Sequence, residues 1–318
     1  MNKQPYWRST PPAIFPVILG LLGLSLAWRG LGSAFQFTSA IGDIMLGLAT
    51  ALLAYFMLTY FIKLIARPAV LMEDLRSPPG RAGLSAASMA TMVLAAGLLP
   101  FGEVARYVWW VGIVLHGVVL AFVILSLSKA PAESRSVTPF QYLPFVGFIL
   151  APLAGMQLGY ANISQVLAYA SFAPFIFLTV KIAAKLSRTR PPQPLRPPFA
   201  IILAPFSLFG MAFAQFGFEL GFVVFYSLAW VVALTLLVFA RWMTNGGFTP
   251  MWGALTFPVA TFININLVAM GKGFGIIATT GAIAGTVIGT PLILYVAYKA
   301  FKMWAKRDLA KKTGAAVA

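Results

Sequence analysis

The chain has 318 residues, of which 60% are hydrophobic and 9% are charged, and its mean hydropathy is +0.88. Soluble domains usually contain about 25% charged residues, so this composition excludes a soluble globular protein. The net charge of +16 gathers at the ends of apolar segments, which indicates membrane topology rather than nucleic-acid binding.

Ten apolar segments are long enough to cross a membrane, and their continuous runs favour helices over a β-barrel. We predict them at residues 12–32, 40–66, 82–100, 104–128, 138–157, 160–185, 197–216, 220–241, 249–270 and 274–301. The first is long, contains Pro16 and lacks a cleavage site before Arg29, so it is a helix rather than a secretory signal. Short turns within pairs predict five helical hairpins in an all-α membrane protein, and residues 1–318 form a single transmembrane domain. The polar ends, 1–10 and 303–318, are expected to be poorly ordered.

A proline recurs in these segments, each time beside Phe or Leu, at intervals that fit five repeats. The four are Pro16, Pro144, Pro205 and Pro258, and the repeat near residues 80–100 has lost its proline. A proline in a helix interior removes a backbone hydrogen bond, which a membrane protein tolerates where neighbouring helices or a cavity satisfy the freed carbonyl. The pattern therefore predicts kinked helices arranged around a pore.

The basic residues set the predicted orientation. All but three of the 23, namely Arg29, Arg106 and Lys272, fall on one side of the membrane when both termini are placed there. The positive-inside rule then puts both termini in the cytoplasm, which an even number of helices requires.

Few residues offer chemistry within the membrane. The seven acidic residues fall in connections, in the tail or near helix ends, and the chain has no cysteine. His116 is the single histidine, and it is interpreted as a packing element or, alternatively, a proton relay. With no catalytic set, metal-ligand cluster or cofactor motif, the sequence indicates neither an enzyme nor a cofactor-binding protein, and it favours a passive transport route.

Two strings carry a specific resemblance. The run FPVILGLLGLSLAWR at residues 15–29 and the run WGALTFPVATF at 252–262 occur in a chain with ten predicted helices. In this the chain resembles the tellurite-resistance/dicarboxylate transporter family, which includes the bacterial tellurite-resistance protein A and the plant guard-cell slow-type anion channels. The resemblance implies a homotrimer in the plasma membrane, here the bacterial inner membrane. Each protomer would then have its own pore, with the five odd helices inside and the five even helices outside.

The resemblance also implies a gate. A phenylalanine directly before the proline of the ninth helix plugs the pore in the family, and the matching residue is Phe257, which could otherwise simply pack between helices. The four prolines would form the pore kinks. The candidate pore-lining residues are Phe15, Phe145, Phe206, Ser85, Ser88, Ser207 and Thr256.

The resemblance implies a gated anion channel that passes chloride and nitrate, with small inorganic anions and the lipid bilayer as its partners. The alternative is a secondary carrier for C4-dicarboxylates or tellurite-type oxyanions, since the family contains both behaviours. A third hypothesis, from a different class of protein function, is a membrane scaffold without transport activity.

Overall fold

The computed structural model describes residues 5–131 and 135–318. Lys3, one of the 23 basic residues, and Glu133, one of the seven acidic residues, lie outside these ranges. Helix accounts for 85% of the structure, and the described residues contain no strand. The helices are α1 (Phe15–Phe35), α2 (Ala40–Ala66), α3 (Val70–Arg76), α4 (Pro78–Gly97), α5 (Glu103–Ser128), α6 (Tyr142–Val146), α7 (Ala151–Gly155), α8 (Ala161–Arg188), α9 (Leu203–Gln215), α10 (Glu219–Val238), α11 (Ala240–Thr244), α12 (Gly253–Gly271), α13 (Gly275–Ala305) and α14 (Asp308–Thr313).

Eight helical segments of the described chain are long and apolar enough to cross a membrane. They are Pro12–Phe35, Ala40–Ala66, Glu103–Ser128, Ala161–Arg188, Gln193–Gln215, Glu219–Val238, Pro250–Gly271 and Gly275–Ala305. The segment Pro139–Gly155 is apolar but shorter. Helix α4 has 20 residues, many of them Gly, Ala and Ser, and most of them are buried. The protein is therefore an all-helical, multi-pass membrane protein.

Burial divides the spanning segments into two classes. In α2, α5, α8, α10 and α13, only 28–33% of the most apolar stretch is buried. In Pro12–Phe35, Gln193–Gln215 and Pro250–Gly271 the buried share is 67–78%. A helix that is apolar on all sides but mostly exposed has a surface suited to lipid, whereas the second class is enclosed by protein. Helix α4 and the segment 139–155 are also mostly buried, which makes five enclosed segments, and these alternate along the chain with the five exposed helices.

The enclosed segments pack against one another in a closed ring. Helix α1 contacts α4 on one side and α12 on the other, and α12 contacts α9. Segment 139–155 lies between α4 and α9: α6 and α7 contact α4, and α7 and the turn at 147–150 contact α9. Each enclosed segment also packs against the exposed helix that follows it in the chain, so the ring is surrounded by α2, α5, α8, α10 and α13.

Four of the five enclosed segments begin with a 3₁₀ turn. These turns are Pro12–Ile14, Pro139–Gln141, Pro197–Ile202 and Pro250–Trp252. Pro16 and Pro205 consequently lie in the first turn of α1 and α9, where a backbone N–H has no helical partner and proline costs little. Of the four predicted kink prolines, Pro258 is the one inside a long helix. The prediction of interior kinks at Pro16 and Pro205 was therefore wrong.

The segment around Pro144 also differs from the prediction of a continuous helix over 138–157. It consists of a 3₁₀ turn, the five-residue α6, a second 3₁₀ turn at Gly147–Leu150 and the five-residue α7. Pro144 lies in the middle of α6 and Pro152 lies near the start of α7. Because a proline has no N–H to donate, each of these residues interrupts the helical hydrogen bonds, and α6 and α7 do not join into one continuous helix.

The C-terminal tail is ordered, contrary to the expectation for residues 303–318. Helix α14 packs against the two 3₁₀ turns that precede α1 and α12, and Leu309 is buried. The Ala316 N–H donates to Asp74 Oδ1 at 2.7 Å. Asp74 is itself fully buried, and Lys63 Nζ donates to its Oδ2 at 3.0 Å and to the Thr10 carbonyl. This buried ion pair therefore joins the tail to α2, α3 and the N-terminal turn.

Replacing Asp74 with alanine should lower the free energy of unfolding by about 3–5 kcal/mol, because it leaves the Lys63 ammonium buried without its partner. Glu73→Ala is the matched control, since its ion pair with Arg67 is more than one-third exposed and contributes about 1 kcal/mol or less. Thermal unfolding of the purified protein in detergent checks both variants. Equal shifts in the unfolding midpoint of the two variants would contradict the larger contribution to stability that we assign to the buried ion pair.

Candidate functional site

A cavity lies at the centre of the ring of enclosed segments. Its volume is about 60 Å³. The cavity is thus narrow, with room for a few water molecules. Every lining residue belongs to one of the five enclosed segments: Ala13, Pro16, Leu19, Pro79, Ala82, Met89, Phe140, Tyr142, Leu143, Val146, Ile149, Ile201, Ala204, Pro205, Leu208, Pro250, Met251, Gly253, Ala254, Phe257 and Pro258.

The cavity occupies the N-terminal half of the ring. Its lining begins in the 3₁₀ turns, at residues such as Ala13, Phe140 and Pro250. The last lining residues of the five segments in chain order are Leu19, Met89, Ile149, Leu208 and Pro258. Each enclosed segment therefore contributes a side chain to the inner end of the cavity, where Phe257 also lies.

The wall of the cavity is apolar. None of the lining residues that the structure describes is charged, and Tyr142 has the one side-chain hydroxyl among them. That hydroxyl is already engaged, because it lies 2.8 Å from Thr179 Oγ1 on α8. An ion in this space meets neither an opposite charge nor a free hydroxyl, so the wall can exclude or pass an ion but binds it weakly.

Phe257 lies where α12 approaches α1. Its side chain is 7% exposed, and the exposed part faces the cavity. Opposite it is Gly23, at which a Cβ atom would lie 3.2 Å from Phe257 Cδ2 and 2.9 Å from the Cβ of Ala260. The absence of a side chain at Gly23 therefore makes room for the aromatic ring. This close approach is what Gly20 and Gly23 predict in a membrane helix.

The structure brings four of the predicted site residues to the cavity: Phe257 and the prolines Pro16, Pro205 and Pro258. Pro144 is buried in α6 and does not line the cavity. None of the seven candidate lining residues does so either: Phe15, Phe145, Phe206, Ser85, Ser88, Ser207 and Thr256.

The four hydroxyls among these seven residues are used inside the protein. Ser85 and Ser207 donate to the carbonyls of Arg81 and Leu203, one helical turn earlier. The remaining two donate to neighbouring backbone as well: Ser88 to the Ser85 carbonyl, and Thr256 to the carbonyls of Gly253 and Pro16. A hydroxyl in an apolar helix takes a nearby carbonyl when no water is present. These side chains therefore face helix backbone instead of the cavity.

The three phenylalanines of the seven point away from the cavity. Phe15 packs edge-on against Tyr60 of α2, with ring centroids 6.5 Å apart. Phe206 packs against Phe175 of α8 and Phe225 of α10, at 5.1 Å and 6.0 Å. Phe145 is partly buried against the hydrophobic core. A residue next to a cavity-facing proline lies about 100° around the helix from it, so adjacency in sequence does not place both side chains on one face.

Several lining residues escaped the sequence interpretation. Leu19 and Leu208 each follow a lining proline, Pro16 or Pro205, by three residues and so share its helix face. This spacing is a signal that the sequence contains. Met89, Val146 and Ile149 do not follow a lining proline by three residues, because the prolines of α4 lie in its first turn, far from Met89, and the helical phase is lost in the broken segment.

Exposed apolar helices surrounding a closed ring with a narrow central cavity define a multi-pass membrane protein of the channel or transporter class. A model of the voltage-dependent anion channel family, SLAC1, matches residues 9–304. The chain belongs to this family, which also contains the tellurite-resistance type of protein, and the resemblance found in the sequence is confirmed. Members of the family are anion channels and transporters, not enzymes. No curated protein matches the chain.

Gly23→Ala should destabilise the protein by about 1–3 kcal/mol, because the new methyl group overlaps Ala260 and presses on the Phe257 ring. Gly47→Ala on the exposed face of α2 is the control, since its Cβ would meet nothing within 4 Å. That change should be neutral or stabilising by about 0.5–1 kcal/mol. The midpoints of thermal unfolding in detergent separate the two, and a neutral Gly23→Ala would argue against close packing at this point.

Proposed function

We propose that the protein is a gated channel for small monovalent anions such as chloride and nitrate, with Phe257 as the gate. The observation that supports this most directly is the central cavity: its described lining residues all belong to the five enclosed segments, and Phe257 lies at its inner end. Membership of an anion channel family supplies the class of permeant ion.

In this proposal ten segments cross the membrane as five hairpins, and the whole chain forms one transmembrane domain. The eight long apolar segments would be joined by α4 and by 139–155, which complete the ring of enclosed segments. We further propose a homotrimer in the plasma membrane, the inner membrane in a bacterium, with both termini in the cytoplasm. The cavity would then open toward the cytoplasm, because its lining begins at the N-terminal ends of the enclosed segments.

The gate acts by steric exclusion. The Phe257 ring lies between α12 and Gly23 of α1 and is mostly buried, so it occupies space that an ion would need. The face of an aromatic ring carries negative charge density and does not attract an anion. Displacing or removing the ring would open the inner end of the cavity, with little effect on the wall below it.

The apolar wall favours monovalent over divalent anions. A C4-dicarboxylate carries two charges, and the described lining offers no cationic side chain to either of them. Moving charge into an apolar environment without a partner is costly, and the cost rises with each charge. For a small, weakly hydrated monovalent anion, the free-energy cost of entering the cavity is smaller. The positive charge of the protein as a whole supplies attraction from a distance without a tight site.

Replacing Phe257 with alanine should raise the chloride current by about tenfold or more, because removing the ring lowers the barrier by at least about 1.4 kcal/mol. Planar bilayers with purified protein provide the measurement, with chloride exchanged for nitrate to establish anion selectivity. An unchanged current from correctly folded Phe257→Ala would rule out Phe257 as the gate.

Phe206→Ala is the matched control for this experiment. Phe206 is also beside a proline of an enclosed segment, but its ring packs on Phe175 and Phe225 and does not line the cavity. Its loss should lower stability by about 3–5 kcal/mol without raising the current per folded protein. If both variants raised the current equally, leakage through a loosened fold would explain the result better than a gate.

Concentration dependence distinguishes the channel from the carrier. In liposomes the chloride flux of Phe257→Ala should rise in proportion to concentration, since the wall offers no binding site to saturate. Malate flux should be lower than chloride flux at every concentration. Saturable malate uptake with counter-flow would instead establish the carrier.

A further inference from the structure

His116 lies directly behind the cavity wall. It is on α5, one of the exposed helices, yet its side chain is fully buried between α4 and the broken segment 142–155. Its ring makes an edge-on contact with Phe148, with centroids 4.6 Å apart. On the other side of that segment and of α4, the cavity is lined by Met89, Val146 and Ile149.

One nitrogen of the imidazole is held by α4. Nδ1 lies 2.8 Å from Ser88 Oγ, and Ser88 donates its own proton to the Ser85 carbonyl. A hydrogen bond therefore joins the imidazole to the Ser88 hydroxyl. This bond fixes the ring plane against α4, immediately next to the cavity-lining residue Met89.

The other nitrogen faces the break between α6 and α7. A Cβ atom at Gly147 would lie 2.6 Å from His116 Nε2 and 3.1 Å from Met89 Cγ, so imidazole, glycine and methionine are in tight contact. The buried imidazole also interacts with the backbone of Pro144, on α6. The ring therefore contacts both α4 and the broken segment.

We propose that His116 is a positioning residue for anion passage: it separates α4 from the broken segment and thereby sets the width of the cavity at Met89, Val146 and Ile149. The broken segment needs such a support. Two five-residue helices joined by a 3₁₀ turn have few backbone hydrogen bonds of their own, and their position depends on the side chains around them. This inference rests on the proposed channel function.

The test uses size selectivity, which a change in the amount of folded protein would not alter. All variants are made in the Phe257→Ala background and reconstituted in liposomes, and the permeability ratio of gluconate to chloride is measured. His116→Ala removes the separating ring and lets the wall recede, so the ratio should rise about fivefold, which corresponds to about 1 kcal/mol in relative barrier height. Gly147→Ala pushes the segment toward the cavity, so chloride flux should fall by about the same factor.

A double variant and a control strengthen the design. In His116→Ala/Gly147→Ala the new methyl group enters the space left by the ring, so the ratio should return toward that of the Phe257→Ala parent. Gly117→Ala is the control, because its Cβ would meet Phe148 Cζ alone, at an ordinary 3.8 Å, and it should change neither quantity. If His116→Ala fails to fold, His116→Gln keeps a hydrogen-bonding group for Ser88 with less bulk and should shift the ratio in the same direction.

Two failures are distinguishable. If the Phe257→Ala parent conducts anions, but the ratio stays unchanged in folded His116 variants and the chloride flux stays unchanged in folded Gly147→Ala, the positioning role is wrong and the channel proposal stands. If the parent itself passes no anion, the proposed function is wrong, and the inference about His116 falls with it.

Discussion

The architecture depends on the contact that closes the ring of enclosed segments, between α1 near the start of the chain and α12 near its end. Gly20 and Gly23 bring the two helices together, since side chains there would overlap Thr256 and Ala260. Thr256 Oγ1 donates to the Pro16 carbonyl, and Asn264 Nδ2 donates to the Gly23 carbonyl, each at 3.0 Å. Within a membrane the hydrophobic effect contributes little to helix association, so close packing and interhelical hydrogen bonds must hold the ring shut. The cavity exists because these two helices meet.

The same constraint explains why the cavity wall is apolar. Hydroxyls on the enclosed segments satisfy backbone carbonyls at the start of each helix and between helices, as Ser207 and Thr256 do. Little side-chain polarity is left to face the centre, where the described lining consists of Gly, Ala, Pro, Leu, Ile, Val, Met and aromatic residues. An ion that crosses such a space is selected by size and by the long-range field of the protein. Selectivity then depends on how precisely the wall is positioned, and the supports behind the wall matter as much as the wall itself.

The exposed helices were predictable as single helices, with ends within about four residues of those observed, whereas the local conformation of the enclosed segments was not predictable. The predicted boundaries 40–66 and 104–128 agree with α2 and α5, because lipid-facing helices are uninterrupted apolar runs whose length the membrane sets. The enclosed segments begin in 3₁₀ turns, and 138–157 is broken in two, because packing within the ring decides their local conformation. The tail shows the same limitation. Its basic composition suggested disorder, whereas its order comes from a buried acceptor, Asp74, far away in the sequence.

Two Phe-Pro pairs show that the same sequence motif can place its phenylalanine in two different environments. Phe15-Pro16 and Phe257-Pro258 look alike, and both prolines line the cavity. Phe15, however, is the first residue of α1 and follows a 3₁₀ turn, and its ring points outward to Tyr60 of α2. Phe257 is well inside α12, in regular helix, and points at Gly23 on the neighbouring enclosed helix. The pair in the sequence therefore marks an enclosed helix, and the glycine opposite determines which phenylalanine has room to reach the cavity.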